Sequence, residues 1–219
     1  IKVEEGPSGV ALITVDKNAE NCIVVAPGAN FKLTVDDIDN NIEAIINSDI
    51  VVVQLETPID TIKYVLKKAK ELGKYTILNP APAVALQDEL IENVDLLTPN
   101  ETELEIISGI QINNEEDINK AAQKMIEKGV KELIVTLGSK GSLYINKEKS
   151  VFQSVYKVQA VDTTAAGDSY TAALAVAFAN DKSIEFAMDF ASKVGALSVM
   201  KEGAQSSLPT LKDVENFRG

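Results

Sequence analysis

Short β-branched apolar runs alternate along this chain with longer segments in which apolar residues recur every three or four positions. The first pattern is that of strands, the second that of amphipathic helices. Residues 9–15 and 22–26 are β-branched runs joined by a polar stretch at 16–21, which predicts a hairpin. Thr34 caps a helix predicted to run to about Asn47, with Ile38, Ile42, Ile45 and Ile46 on one face. Residues 49–54 read as a strand. Thr57 and Pro58 supply an N-cap and a first-turn proline for a helix that ends at Gly73. Further strands are predicted at 75–78, 94–97, 131–137, 142–145 and 150–155. Helices are predicted at 86–92, 100–107, 114–128, 165–180 and 183–200, with a closing helix after Thr210. The stripes Leu174/Ala177/Phe178 and Phe186/Phe190/Val194 are predicted core.

Strands alternating with helices imply an α/β fold: a three-layer, Rossmann-like, mostly parallel sheet covered on both faces. The opening hairpin breaks that rhythm and is expected outside the main sheet, as a small β lid in residues 1–28, leaving 29–219 as the core. Ligands of such folds sit at the carboxyl ends of strands. Segments 54–56, 79–80, 98–100, 136–138 and 162–168 all fall at or just past predicted strand ends.

Composition narrows the function. The 219 residues are 45% hydrophobic and 25% charged, ordinary for one globular domain. Net charge is −12, from 33 acids and 21 bases, and no Lys/Arg cluster offers a nucleic-acid surface. The chain has no histidine, which excludes His-based triads and His-ligated zinc. A single cysteine, Cys22, forms neither an internal disulfide nor a thiolate metal site. No run approaches a membrane span and no signal-peptide pattern opens the chain, so a cytoplasmic protein with no membrane partner is expected.

The chemistry concentrates in residues 161–168, Val-Asp-Thr-Thr-Ala-Ala-Gly-Asp, directly before an apolar helical pattern. A small-residue turn at a helix start leaves backbone N–H groups unpaired, and with the helix dipole these suit a phosphate or a developing oxyanion. Asp168 inside such a nest repels the anion unless it acts as a general base on an attacking hydroxyl. The alternative is structural: Thr163 or Thr164 as N-cap and Asp168 as a first-turn acid. Residues 98–103, Thr-Pro-Asn-Glu-Thr-Glu, likewise read as a capping box of Asn100 and Glu103. Residues 136–141, Thr-Leu-Gly-Ser-Lys-Gly, read as a glycine hairpin or as a loop letting backbone approach a nucleotide.

Taken together and in order, 8–13, Pro27-Gly28-Ala29-Asn30, Gln54-Leu55-Glu56-Thr57-Pro58, Asn79-Pro80-Ala81-Pro82, 98–103, 135–141, 160–168 and Gly203-Ala204-Gln205 resemble the ribokinase-like carbohydrate kinases of the phosphofructokinase-B type. The resemblance implies the fold of that family and ATP-dependent phosphorylation of D-ribose to ribose 5-phosphate. Asp168 would be the base and Ala165, Ala166 and Gly167 the anion hole. Asn100, Glu103, Thr136, Gly138, Ser139 and Gly141 would line the ATP and Mg2+ region, with Ser192 where the family often has a histidine near adenine. Glu56 would reach the sugar. A K+ site would use Asp162, Thr164, Ser198, Lys201, Gly203 and Ser207. The family usually reads Gly-Ala-Gly-Asp where this chain has Ala165-Ala166-Gly167-Asp168. The resemblance also implies a homodimer through the lid.

The family's opening strand with a sugar-binding Asp and its Gly-Gly-Lys-Gly-Ala-Asn segment do not occur in these residues, and the chain begins with Ile1. The expectation is therefore a chain lacking about the N-terminal third of such a kinase, without turnover by itself. A related sugar or nucleoside kinase, a nucleotide-binding fragment and a noncatalytic α/β module remain the alternatives.

Overall fold

The computed structural model describes residues 5–15 and 21–219. β1 (Val10–Val15) and β2 (Asn21–Ala26) pair antiparallel as a separate two-stranded sheet, with Val10 opposite Ala26. The turn predicted between them falls largely at 16–20, outside the described residues. Val10, Leu12, Val24 and Val25 are exposed, and none of the hairpin's described side chains joins the core.

The main sheet, among the described residues, has six strands in chain order: β3 (Ile50–Val53), β4 (Tyr75–Leu78), β5 (Leu96–Leu97), β6 (Glu132–Thr136), β7 (Ser142–Asn146) and β8 (Ser150–Gln153). β3 to β6 are parallel, and β7 and β8 follow antiparallel. Side chains alternate between faces along a strand, and both faces are apolar. Leu78, Leu97, Leu133 and Val135 join one buried cluster, together with Leu66 of α3 (Ile59–Glu71), Leu104 of α5 (Glu101–Ser108) and Met125 of α6 (Glu115–Glu127). Ile77, Leu96 and Ile134 join the other, with Leu174 of α7 (Ala166–Ala179) and Met188 of α8 (Ile184–Ser198). Parallel crossovers keep one hand, so the helices between β3 and β6 share a face and α7 and α8 cover the opposite one. The three-layer expectation holds.

Several local expectations are corrected. The helix predicted from Thr34 to Asn47 is two short helices, Val35–Asp39 and Ile42–Ile46. The Asn41 side-chain amide donates 2.8 Å to the Asp37 carbonyl, the acceptor its own N–H would use in a continuing helix, and that N–H turns to Ile38 instead. Thr34 does cap, in a reciprocal box with Asp37. Pro58 rather than Thr57 occupies the N-cap of α3. Residues 162–168 do not follow a strand end. β8 stops at Gln153, and the Val161 and Asp162 N–H groups donate to the Val199 carbonyl at the end of α8. Phe186 is exposed rather than core, stacked on Phe190 at 6.2 Å beneath the Lys182 ammonium. Among the described residues no helix is long and apolar enough to cross a membrane.

Candidate active site

Register builds the floor of the site. Val53 pairs with Leu78, and Leu78 with Leu97, so the next residues of three parallel strands, Gln54, Asn79 and Thr98, stand abreast. The buried Asn79 donates from Nδ2 to the Thr98 carbonyl at 2.9 Å. Its Oδ1 faces Gln54 Nε2 at 3.4 Å, and the same Nε2 donates to Asp168 Oδ1 at 2.7 Å. A cavity of about 390 Å³ opens here, lined by residues that include Gln54, Asn79, Asp168 and Thr171. A wider groove of about 690 Å³ lies along α6 and contains none of the predicted site residues, so its size does not make it the site.

The start of α7 forms the other wall. Ala165 at its N-cap sits in the left-handed region, φ 59° and ψ 13°, a conformation that costs an alanine about 1–2 kcal/mol. No side chain caps the helix. The Ala166 N–H returns to Thr163, but those of Gly167 and Asp168 have no hydrogen-bond partner among the described residues. Thr163 and Thr164 therefore do not cap, while Asp168 does lie in the first turn of the helix. A Cβ at Gly167 would meet nothing within 4 Å, so the fold does not demand glycine there and the turn faces open space. The φ of Ala165 accounts for the glycine more usual at that position. Ala165→Gly should raise the thermal midpoint by about 2–4 °C, because relief of about 1–2 kcal/mol outweighs the 0.4–1 kcal/mol that glycine adds to unfolded-chain entropy. A lowered midpoint in scanning calorimetry would show the left-handed turn carries no strain.

Next along the strand ends, Asn100 and Glu103 form the predicted reciprocal capping box of α5, each contact 2.8 Å. Burial pushes the Glu103 carboxyl above its usual range against the pull of the Asn100 N–H, and the nearby Asp168 charge adds to the rise. Neither acid has a Lys or Arg partner among the described residues. Asn100 bridges to Thr136, which brings the 136–141 turn alongside. Gly138 and Ser139 lie in its single 3-10 turn. Gly141, at φ 135°, is required by the fold: a Cβ there would lie 2.1 Å from the Gln153 carbonyl oxygen. Lys140 pairs with Glu101 at 3.1 Å. Ser192 is buried on α8, and no hydrogen bond joins it to this turn.

Behind Ala165, Asp162 accepts from the Thr164 N–H at 2.8 Å and the Gly203 N–H at 2.9 Å. The Thr164 side chain foremost, then the Gly203 and Thr164 N–H groups, hold its carboxyl below the usual range. They fasten the 160–164 loop to the 199–207 loop, which also carries Lys201. Ser198 and Ser207 are fully buried there, and Ser198 meets Ser169 of α7 at 3.2 Å. Among the described residues no group of three or more His, Cys, Asp or Glu side chains could hold a metal ion. Glu56 is exposed on the loop after β3. Gln54 was not among the predicted site residues. The signal for it was a polar residue directly after each of three apolar strand runs.

The profile of the "pfkB family carbohydrate kinase" family matches residues 1–211. The chain is 42% identical to a ribokinase of Staphylococcus aureus over 215 residues, 98% of this chain and 71% of that protein. It is 36% identical to a deoxyribokinase of Salmonella typhi, over 99% of this chain and 71% of the relative. The fold matches Arabidopsis thaliana ribokinase complexed with ribose and ATP at a TM-score of 0.89 and 36% identity, covering 98% of this chain and 71% of that one.

Proposed function

The chain belongs to the pfkB family of ATP-dependent carbohydrate kinases, and from that premise we propose that the intact protein transfers the γ-phosphoryl group of ATP to the 5-hydroxyl of D-ribose. The observation that carries the proposal is the start of α7, where two unpaired N–H groups adjoin the Asp168 carboxylate that lines the cavity. Asp168 takes the proton of the sugar hydroxyl as its oxygen bonds to the γ-phosphorus. The bond from that phosphorus to the bridging oxygen breaks, and ADP leaves. The Ala165–Gly167 turn steadies the charge on the transferring oxygens at no reorganisation cost, because its donors are already aimed. Asn100, Glu103 and residues 136–141 bind the nucleotide, with Ser192 toward the base, and Glu56 binds the sugar.

Glu103 and Asp168, two acids sharing one field without a cationic partner, fit a Mg2+ carried in on the phosphates, which would neutralise charge on the transferring group. The hard oxygens of Asp162, Thr164, Ser198, Lys201, Gly203 and Ser207, several of them backbone carbonyls, fit a K+ whose charge would bear on the turn above.

The S. aureus ribokinase is more similar than the deoxyribokinase, which supports ribose over 2-deoxyribose. The test is ADP release by the intact protein over a sugar panel. D-ribose is expected to give the highest kcat/KM. A hexose or nucleoside turned over at least tenfold better, about 1.4 kcal/mol in transition-state binding, would overturn the assignment.

A further inference from the structure

We propose that Gln54 is a positioning residue for Asp168: its side-chain amide, oriented by the ends of three sheet strands, holds the carboxylate in line with the sugar hydroxyl. The inference rests on Asp168 being the base, as proposed above.

The orientation of the amides follows outward from a group that has no choice. The Thr98 carbonyl can only accept, so the atom of Asn79 that meets it at 2.9 Å is the NH2. Asn79 therefore presents its oxygen to Gln54, and Gln54 must present its own NH2 in return, at 3.4 Å. That NH2 is the group 2.7 Å from Asp168 Oδ1. A flipped Gln54 would set its oxygen against both Asn79 Oδ1 and the carboxylate, with no donor between them. The row thus ends in a donor aimed at Asp168, and its direction is set by the backbone of β5.

Asp168 needs this support. It lies in the first turn of α7, exposed, with no ion partner among the described residues, beside Glu103, whose charge repels it. Asp168 Oδ1 held by Gln54 leaves Oδ2 to take the hydroxyl proton. A base free to swing loses the near-attack geometry, and displacement by about 1 Å can cost roughly 10²-fold in rate. Gln54 lies at the rim of the same cavity, half-buried, fixed through Val53 to the sheet rather than to a loop.

The experiment is a double-mutant cycle in the intact protein with ATP, Mg2+ and D-ribose, using Gln54→Ala, Gln54→Glu and Asp168→Asn. Gln54→Glu keeps the side-chain shape but replaces the donor by a charge, and Gln54→Ala removes the donor without adding one, so a loss common to both reports the lost donor rather than packing or charge alone. Both Gln54 variants are expected to lower kcat by about 10–100-fold with KM for ribose and ATP within about threefold. In the Asp168→Asn background the same changes should cost less than about threefold, since the residue acted through the lost carboxylate. Three outcomes would overturn the inference: unchanged kcat in both Gln54 variants, a raised ribose KM at unchanged kcat, or losses that multiply with that of Asp168→Asn. If Asp168→Asn alone leaves turnover intact, the base assignment fails and the inference with it. If Asp168→Asn is inactive while Gln54→Glu is normal, only the inference fails.

Discussion

Asp168→Asn is expected to lower kcat by about 10²–10⁴, equivalent to about 3–5.5 kcal/mol of barrier, while the protein still folds and binds nucleotide. The substitution is nearly isosteric, and the amide oxygen it introduces can still accept from Gln54, so the wall between β3 and α7 stays intact. What disappears is the capacity to take a proton. The unpaired N–H groups of the α7 turn remain, and residual turnover above the uncatalysed rate is expected from them and from substrate alignment. Steady-state ADP release beside calorimetric titration with ATP–Mg2+ reads both quantities. Turnover near wild type would reduce Asp168 to a first-turn acid that favours the helix dipole.

The largest stability effect is expected far from the site, at Asp95. This residue is only 5% exposed and opens β5 at the opposite end of the sheet. Its carboxylate accepts from Lys70 of α3 at 2.7 Å, from Lys131 before β6 at 2.8 Å and from the Thr76 N–H of β4 at 3.0 Å. Burial alone would push this carboxyl up, but the Lys131 and Lys70 contacts outweigh it and hold the group below its usual range. Asp95→Ala removes the shared acceptor of two cations and a buried N–H. Loss of one partner of a fully buried pair costs about 3–5 kcal/mol. Lys131 is 58% exposed and solvent screens its share, so about 2–3 kcal/mol is expected, or a midpoint about 5–10 °C lower. A carboxylate depressed in the folded state stabilises above its unfolded value and loses that contribution as pH falls through the folded one. The gap between wild type and Asp95→Ala in urea denaturation should therefore be full at pH 7 and shrink below about pH 4. A gap independent of pH would mean that Asp95 acts by packing rather than by charge.

The layered sheet was legible because both faces of its parallel strands are covered, which writes them as mostly apolar runs bounded by polar strand-end residues. The capping box of Asn100 and Glu103 was legible because it is local. What the sequence concealed depends on contacts distant along the chain or on competition at one residue. The break at Asn41 turns on a side-chain amide outbidding its own backbone for a single carbonyl, a choice that apolar periodicity does not register. The absence of a strand before Asp162 reflects its N–H groups turning to Val199 at the end of a later helix. Gln54 was passed over because its partner lies 114 positions away, and only the shared register of β3, β4 and β5 sets it beside Asn79 and Thr98.

The order of β3 to β8 across the sheet is also their order along the chain. Every neighbour in the sheet is therefore a neighbour in synthesis. Closing each such connection costs little chain entropy, and a topology of nearby pairings is the kind that forms quickly. A chain emerging from the ribosome can add strand after strand without waiting for distant partners. α7 comes after all of them, so Asp168 is delivered to an already assembled row of strand ends. Incomplete chains carry the turns at 98–103 and 136–141 without Asp168, and the proposed base joins the row of strand ends only when α7 has docked.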